Sequence, residues 1–112
     1  MSENKKSVIH LNNDNFQSII SDKNPVLVDF FATWCGPCQM MAPVLDDIAK
    51  NDAKDDFCVA KIDIDENPEI AAKYDVMSIP TFIVFKEEKE IARMMGAMPK
   101  EMIIQKVLDT KK

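Results

Sequence analysis

The chain has 112 residues, enough for one hydrophobic core and too few for two. Its composition, 46% hydrophobic and 29% charged, is ordinary for a soluble globular protein, and a net charge of −5 argues against nucleic acid or an anionic membrane as partner. Met1 to Lys6 are polar and expected to form a flexible tail; no stretch reads as an export signal or a bilayer span, so a cytoplasmic protein is expected.

Ser7 to Leu11 is a strand candidate. Asn12, Asn13 and Asp14 offer capping side chains for a helix through Phe16, Ile19 and Ile20, stopped near Asn24-Pro25. Val26 to Ala32 is β-branched and aromatic, continuous enough for a strand buried on both faces. Gln39 to Ala49 is rich in helix formers, with Met41, Leu45 and Ile48 at helical spacing and Pro43 inside. Asn51 to Asp56 reads as a polar loop, Phe57 to Asp63 as a strand, and Pro68 to Tyr74 as a short helix with proline at its start. Thr81 to Lys86 and Glu90 to Met95 are joined by so brief a link that they should form an antiparallel hairpin. Met98 to Leu108 closes the chain as a helix with Ile103, Ile104, Val107 and Leu108 on its apolar side. The alternation of strand and helix implies parallel strands with crossover helices, to which the hairpin adds antiparallel edges.

The stretch that carries chemistry is Trp34-Cys35-Gly36-Pro37-Cys38, at the junction between the buried strand and the helix after it. Cys35 falls at or near the helix N-terminus, where unpaired N–H groups and the helix dipole favour an anion and so a thiolate. The spacing brings Cys38 back within disulfide reach, and the pair reads as a dithiol/disulfide redox centre. In a chain without an export signal, three cysteines make no structural disulfide framework, and a catalytic disulfide fits better. A zinc half-site is the rival by count, with Cys58 and His10 completing the set. Cys58 falls in mid-strand, however, and His10 stands at no usual ligand spacing, so no metal is expected. The eight methionines are explained as core or rim rather than as a copper site.

With Asp29 upstream, Lys61 to Pro68 and Ile79-Pro80-Thr81 downstream, and Gly96-Ala97 near the end, this motif resembles the thioredoxin family from about Val8 to Leu108. The resemblance implies a thioredoxin fold, an α/β domain over 1–112 with a central five-stranded mixed sheet flanked by four helices. It also implies a general protein-disulfide reductase. Cys35 attacks a client disulfide, and Cys38 resolves the mixed disulfide, with Pro37 restricting the turn and Gly36-Pro37 favouring a reducing protein. Family members take electrons from NADPH through a flavin-containing thioredoxin reductase and bind no cofactor themselves. The expected partners are that reductase and disulfide-containing client proteins, and a monomer is expected.

Asp29 is the most informative residue outside the motif. A carboxylate within an apolar strand is costly unless paired, and burial raises its pKa towards neutrality. The pattern alone also permits local alternation with Asp29 in water. The resemblance implies that it lies behind Cys38 as proton acceptor and donor, with Lys61 modulating its charge; a solvated strand-end lysine is the plainer reading of Lys61. Pro80 is by family a cis proline against the disulfide, and Trp34, Ile79, Gly96 and Ala97 surround Cys35 as the client-docking surface, with Met77 and Met98 adding apolar contact. Cys58 reads as a buried packing residue, His10 as a surface residue on an edge strand, and Asp63, Asp65 and Glu66 as a solvated strand end. Phe31 stands where many members have a second tryptophan, and Asp75 and Ser78 stand where glycine is common. The link Glu87-Glu88-Lys89 lacks an Asn-Gly turn, so a different hairpin geometry or a more mobile link is expected there.

Overall fold

The computed structural model describes residues 7–111. The expected tail over residues 1–6 lies outside them. The chain runs β1 (Ile9–His10), α1 (Phe16–Ile20), β2 (Val26–Phe31), α2 (Gly36–Asp47), a π-helical turn (Ile48–Asp52), β3 (Cys58–Asp63), α3 (Pro68–Lys73), β4 (Thr81–Lys86), β5 (Lys89–Met95) and α4 (Lys100–Asp109). The five strands form one mixed sheet in the order β1-β3-β2-β4-β5. β3 runs parallel to β1 and β2, β4 is antiparallel to β2, and β5 is antiparallel to β4. This is the mixed sheet that the resemblance implies. β4 is interior rather than an edge; β1 and β5 are the edges.

The chain first steps over the β3 position to β2 and then back, and right-handed crossovers in opposite directions put α1 and α2 on opposite faces. Strand alternation supplies both faces with apolar side chains. Val26, Val28, Phe30, Ile83 and Phe85 pack beneath Phe16 and Ile20 of α1 and Ile70 of α3. Leu27, Val59, Phe82 and Val84 pack beneath Met41 and Leu45 of α2 and Ile103 and Val107 of α4. Phe85, Phe16 and Tyr74 meet edge to face or tilted at ring separations of 5.1–5.7 Å, which fixes the end of α3 against α1 and β4.

One local reading is refined and two need correction. Helix α1 begins after Asn15, whose side chain makes no cap bond to the helix. Capping is done one turn earlier, where Asn12 Oδ1 accepts from the N–H groups of Asp14 and Asn15 and Asn15 Oδ1 accepts from that of Asn12. Asn51 and Asp52 are not loop but part of the π turn, closed by the Ala53 N–H on the Ile48 carbonyl at 2.8 Å. Burial explains this, because Ile48, Ala49 and Ala53 are all fully buried and draw the polar residues between them into the helix.

The hairpin link is the third. Glu87 and Glu88 have φ of 52° and 70°, the left-handed pair that Asn-Gly would adopt. The turn is held from outside: the Glu87 N–H donates to Asp22 O at 3.0 Å, the Glu88 N–H to Ile20 O at 2.9 Å, and Gln17 Nε2 to Glu88 Oε1. Tertiary bonds to the end of α1 thus impose a backbone that the local sequence does not favour.

Candidate active site

β2 lies in the middle of the sheet, and its carboxyl end delivers Ala32, Thr33 and Trp34 to the start of α2. Cys35 is the N-cap, in extended conformation, and its Sγ accepts from the Cys38 N–H at 3.2 Å. The sulfur therefore takes the place that a serine or aspartate oxygen takes at an ordinary N-cap. Pro37 sits in the first turn, where its missing N–H has no intrahelical partner to lose. No acidic side chain occupies that turn, so nothing there opposes negative charge on the sulfur. Gln39 spans the junction, with Nε2 donating to the Thr33 carbonyl at 2.8 Å.

Cys35 and Cys38 form a disulfide with Cα atoms 5.2 Å apart. Both are nearly buried and pack with Ala32, edged by Phe31, Ile64 and Ile79. Gly36 is exposed and a Cβ there would meet nothing within 4 Å, so the glycine leaves the front of the disulfide open rather than relieving a clash.

Asp29 shares its face of β2 with Leu27, the side covered by α2, and stands in register with Lys61 of β3 and Phe82 of β4. It is 2% exposed, and its Oδ1 has no hydrogen-bond partner. Burial pushes its carboxyl up from 3.8 to about 7, with the Lys61 ammonium pulling the other way. Asp29 and Cys38 line the same cleft of about 210 Å³, with Phe31, Ala32, Thr33, Gln39, Ala42 and Lys61 as the other walls. The Lys61 ammonium lies 5.3 Å from the Phe31 ring centroid, so Phe31 orients the cation beside the acid. A carboxyl titrating near neutrality, in the same cleft as one cysteine of a disulfide, can take up or release a proton as that bond opens.

The other side of the disulfide is closed by the segment entering β4. Ile79-Pro80 is a cis peptide bond, and Cys35 Sγ lies 3.9 Å from the Ile79 carbonyl oxygen. Pro80 is buried, and its carbonyl accepts from the Gly96 N–H at 2.8 Å. Gly96 has φ of 89°, a conformation that strains any side chain. Trp34 is 69% exposed, and its indole N–H donates to Asp65 Oδ2 at 2.8 Å. Asp65 is thus a tether for Trp34 and not merely a solvated strand end. Ala97 is exposed and Met98 half-buried, and Met77 is more exposed than any other large apolar side chain among the described residues.

The residues gathered around the disulfide are therefore Asp29, Lys61, Trp34, Gly36, Pro37, Ile79 and Pro80, with Gly96 bonded to Pro80 and Ala97 following it in the chain. Cys58 is not among them. It is buried at the start of β3, in the core layer of α1 and α3. His10 is exposed on edge strand β1. Among the described residues no group of three or more His, Cys, Asp or Glu side chains is placed to hold a metal ion. Sequence reading missed Asp65 and Gln39; each acts through a bond to a residue distant in sequence, or to a backbone carbonyl, that no local pattern announces. No helix of the described chain is long and apolar enough to cross a membrane.

The Thioredoxin family model matches residues 7–109. A thioredoxin of Alicyclobacillus acidocaldarius is 48% identical over 99 residues, 88% of this chain and 93% of that protein. A bifunctional thioredoxin reductase/thioredoxin of Mycobacterium leprae is 46% identical over 94 residues, 84% of this chain and 20% of that larger protein. Among solved structures, a mutant thioredoxin from Halobacterium salinarum superposes with a TM-score of 0.88 at 29% identity, over 100% of this chain and 97% of that one.

Proposed function

The chain belongs to the thioredoxin family and is a disulfide oxidoreductase working by dithiol–disulfide exchange; on that premise we propose the part each residue plays. Reduced Cys35 attacks a client disulfide as thiolate, forming a mixed disulfide and releasing one client thiolate, which takes a proton. Cys38 then loses its proton, attacks Cys35 Sγ and expels the second client thiol. Two electrons pass from the Cys35–Cys38 dithiol to the client, and the protein is left as the disulfide. The observation that carries this reading is the placement of Cys35 at the α2 N-terminus, with Cys38 and buried Asp29 sharing one cleft behind it.

Asp29 accepts the Cys38 proton during resolution and returns it when the disulfide is reduced again; its pKa of about 7 suits both directions. Lys61 keeps that value from rising further. Gly36 and Pro37 hold the turn and leave its front open. Trp34, Ile79, Pro80, Gly96 and Ala97 form the docking surface, where an extended client strand lies along the Ile79 backbone.

The family needs no bound cofactor. Electrons come from NADPH through a separate flavin-containing thioredoxin reductase, a reading supported by the relative whose name joins reductase and thioredoxin in one protein. The chain acts as one domain over 1–112, as a monomer in the cytoplasm. The test is NADPH-coupled reduction of insulin with a thioredoxin reductase present, comparing the wild type with Cys35→Ser. Turnover in the wild type that vanishes in the variant supports the reading. No wild-type turnover, despite a reducible Cys35–Cys38 pair, would point to a dedicated client or a binding role.

A further inference from the structure

The segment between α3 and β4 carries Met77, Ser78 and Ile79 up to the disulfide, and one side chain from the edge strand ties down its upstream end. Arg93 of β5 stands opposite Ile83 of β4. Ile83 belongs to the core layer of α1 and α3, so Arg93 projects to that side, where α3 ends. Its Nη2 donates to the Tyr74 carbonyl at 2.6 Å, and its Nη1 reaches that of Asp75 at 3.4 Å. The Glu90 carboxylate grips the same guanidinium, accepting from Nε at 2.7 Å and from Nη2 at 2.8 Å.

The fork adds to a corner that the backbone itself begins. Asp75, at φ 53°, takes the left-handed position that follows a helix C-cap, with its N–H on Ala72 O at 3.1 Å and the Val76 N–H on Ala71 O at 3.0 Å. Those bonds leave the Tyr74 and Asp75 carbonyls to the guanidinium, and a cation is favourable at a helix C-terminus. The Tyr74 ring, wedged between Phe16 and Phe85, fixes one side of this corner and the guanidinium the other. The downstream end is fixed separately, by the Gly96 N–H on Pro80 O and by Thr81 Oγ1 on Ser78 O. Between the two anchors lie exposed Met77 and the Ile79 carbonyl that faces Cys35 Sγ.

We propose that Arg93 is a positioning residue for polypeptide clients: its fork on the Tyr74 and Asp75 carbonyls sets where residues 76–79 lie beside Cys35. The proposal rests on the reading of Ile79 and its neighbours as the docking edge. A client chain needs that edge in place, whereas a small disulfide needs only Cys35 Sγ. Lysine can reach a single carbonyl but cannot fork, so it replaces arginine only in part.

The experiment is single-turnover oxidation of the pre-reduced protein by insulin and, in parallel, by a small aromatic disulfide. Wild type, Arg93→Met, Arg93→Lys and Glu90→Gln are compared, with thermal unfolding of each recorded. Arg93→Met should react with insulin about tenfold more slowly, while its rate with the small disulfide stays at the wild-type value. Arg93→Lys should fall between, and Glu90→Gln should show the same selective loss more weakly. Equal losses on both substrates, or no loss on insulin, would overturn the proposal. Should Arg93→Met fail to fold, the other two variants carry the same comparison. A wild type that reduces the small disulfide but not insulin would remove the docking reading itself, and this shows before any residue is changed.

Discussion

Replacing Asp29 with asparagine should stabilise the protein above neutral pH and lose that advantage in acid. The carboxyl is 2% exposed, its Oδ1 lacks a hydrogen-bond partner, and burial holds its pKa near 7 against 3.8 when solvated. A folded-state value raised above the unfolded one means that the native protein binds the extra proton between about pH 4 and 7. Stability therefore falls as pH rises through that window, and the full cost applies above it. At about 1.4 kcal/mol per pH unit, the ionised carboxylate costs the fold about 4 kcal/mol at pH 8.5. Asparagine matches the protonated acid in shape and never ionises. Denaturant unfolding of the oxidised proteins, followed by the fluorescence of Trp34, should show the variant gaining about 4 kcal/mol relative to wild type on going from pH 4 to pH 8.5. The disulfide keeps both active-site cysteines from titrating, which leaves Asp29 as the group under test. A stability difference that stays constant with pH to within about 1 kcal/mol would refute the argument, because burial would then not be what moves the carboxyl.

Lys61→Met removes the cation that opposes desolvation, so the Asp29 carboxyl should titrate higher than about 7; the chemical shift of its carboxyl carbon against pH reads this, and an unchanged or lower midpoint counts against it. The double change Glu87→Asn, Glu88→Gly places at the hairpin the residues that its left-handed backbone favours. A gain of about 1–2 kcal/mol is expected, seen as a rise of about 4–8 °C in Tm per kcal/mol; destabilisation would mean that the bond lost between Gln17 Nε2 and the Glu88 carboxylate outweighs the relief of the left-handed backbone.

Much of this was legible from residues alone, for reasons that particular elements make plain. The Trp34–Cys38 string sits between a β-branched run and a helix-forming run, so its place at a strand-to-helix junction follows from pattern. Asp29 is the one charged residue in its strand, but both faces of β2 are apolar, so period-2 alternation could not say which layer it enters. The parity that puts it beneath α2 comes from the sheet's pairing. The π turn was hidden because Asn51 and Asp52 are polar; their helical state is imposed by the burial of Ile48, Ala49 and Ala53. Glu87 and Glu88 show the same limit, since their turn is dictated by carbonyls at the far end of α1. Arg93 is the extreme case: beside Glu90 its partners are the Tyr74 and Asp75 backbone carbonyls, and a carbonyl has no sequence signature.

The most direct test of the account traps the first covalent step. Reduced Cys38→Ser protein, mixed with a peptide disulfide and analysed by mass spectrometry under non-reducing conditions, lacks the thiol that resolves the intermediate. A stable one-to-one mixed disulfide mapped to Cys35 is the predicted result. An adduct on Cys58, or no adduct from a protein whose wild type turns over, would contradict the assignment of Cys35 as the attacking thiol.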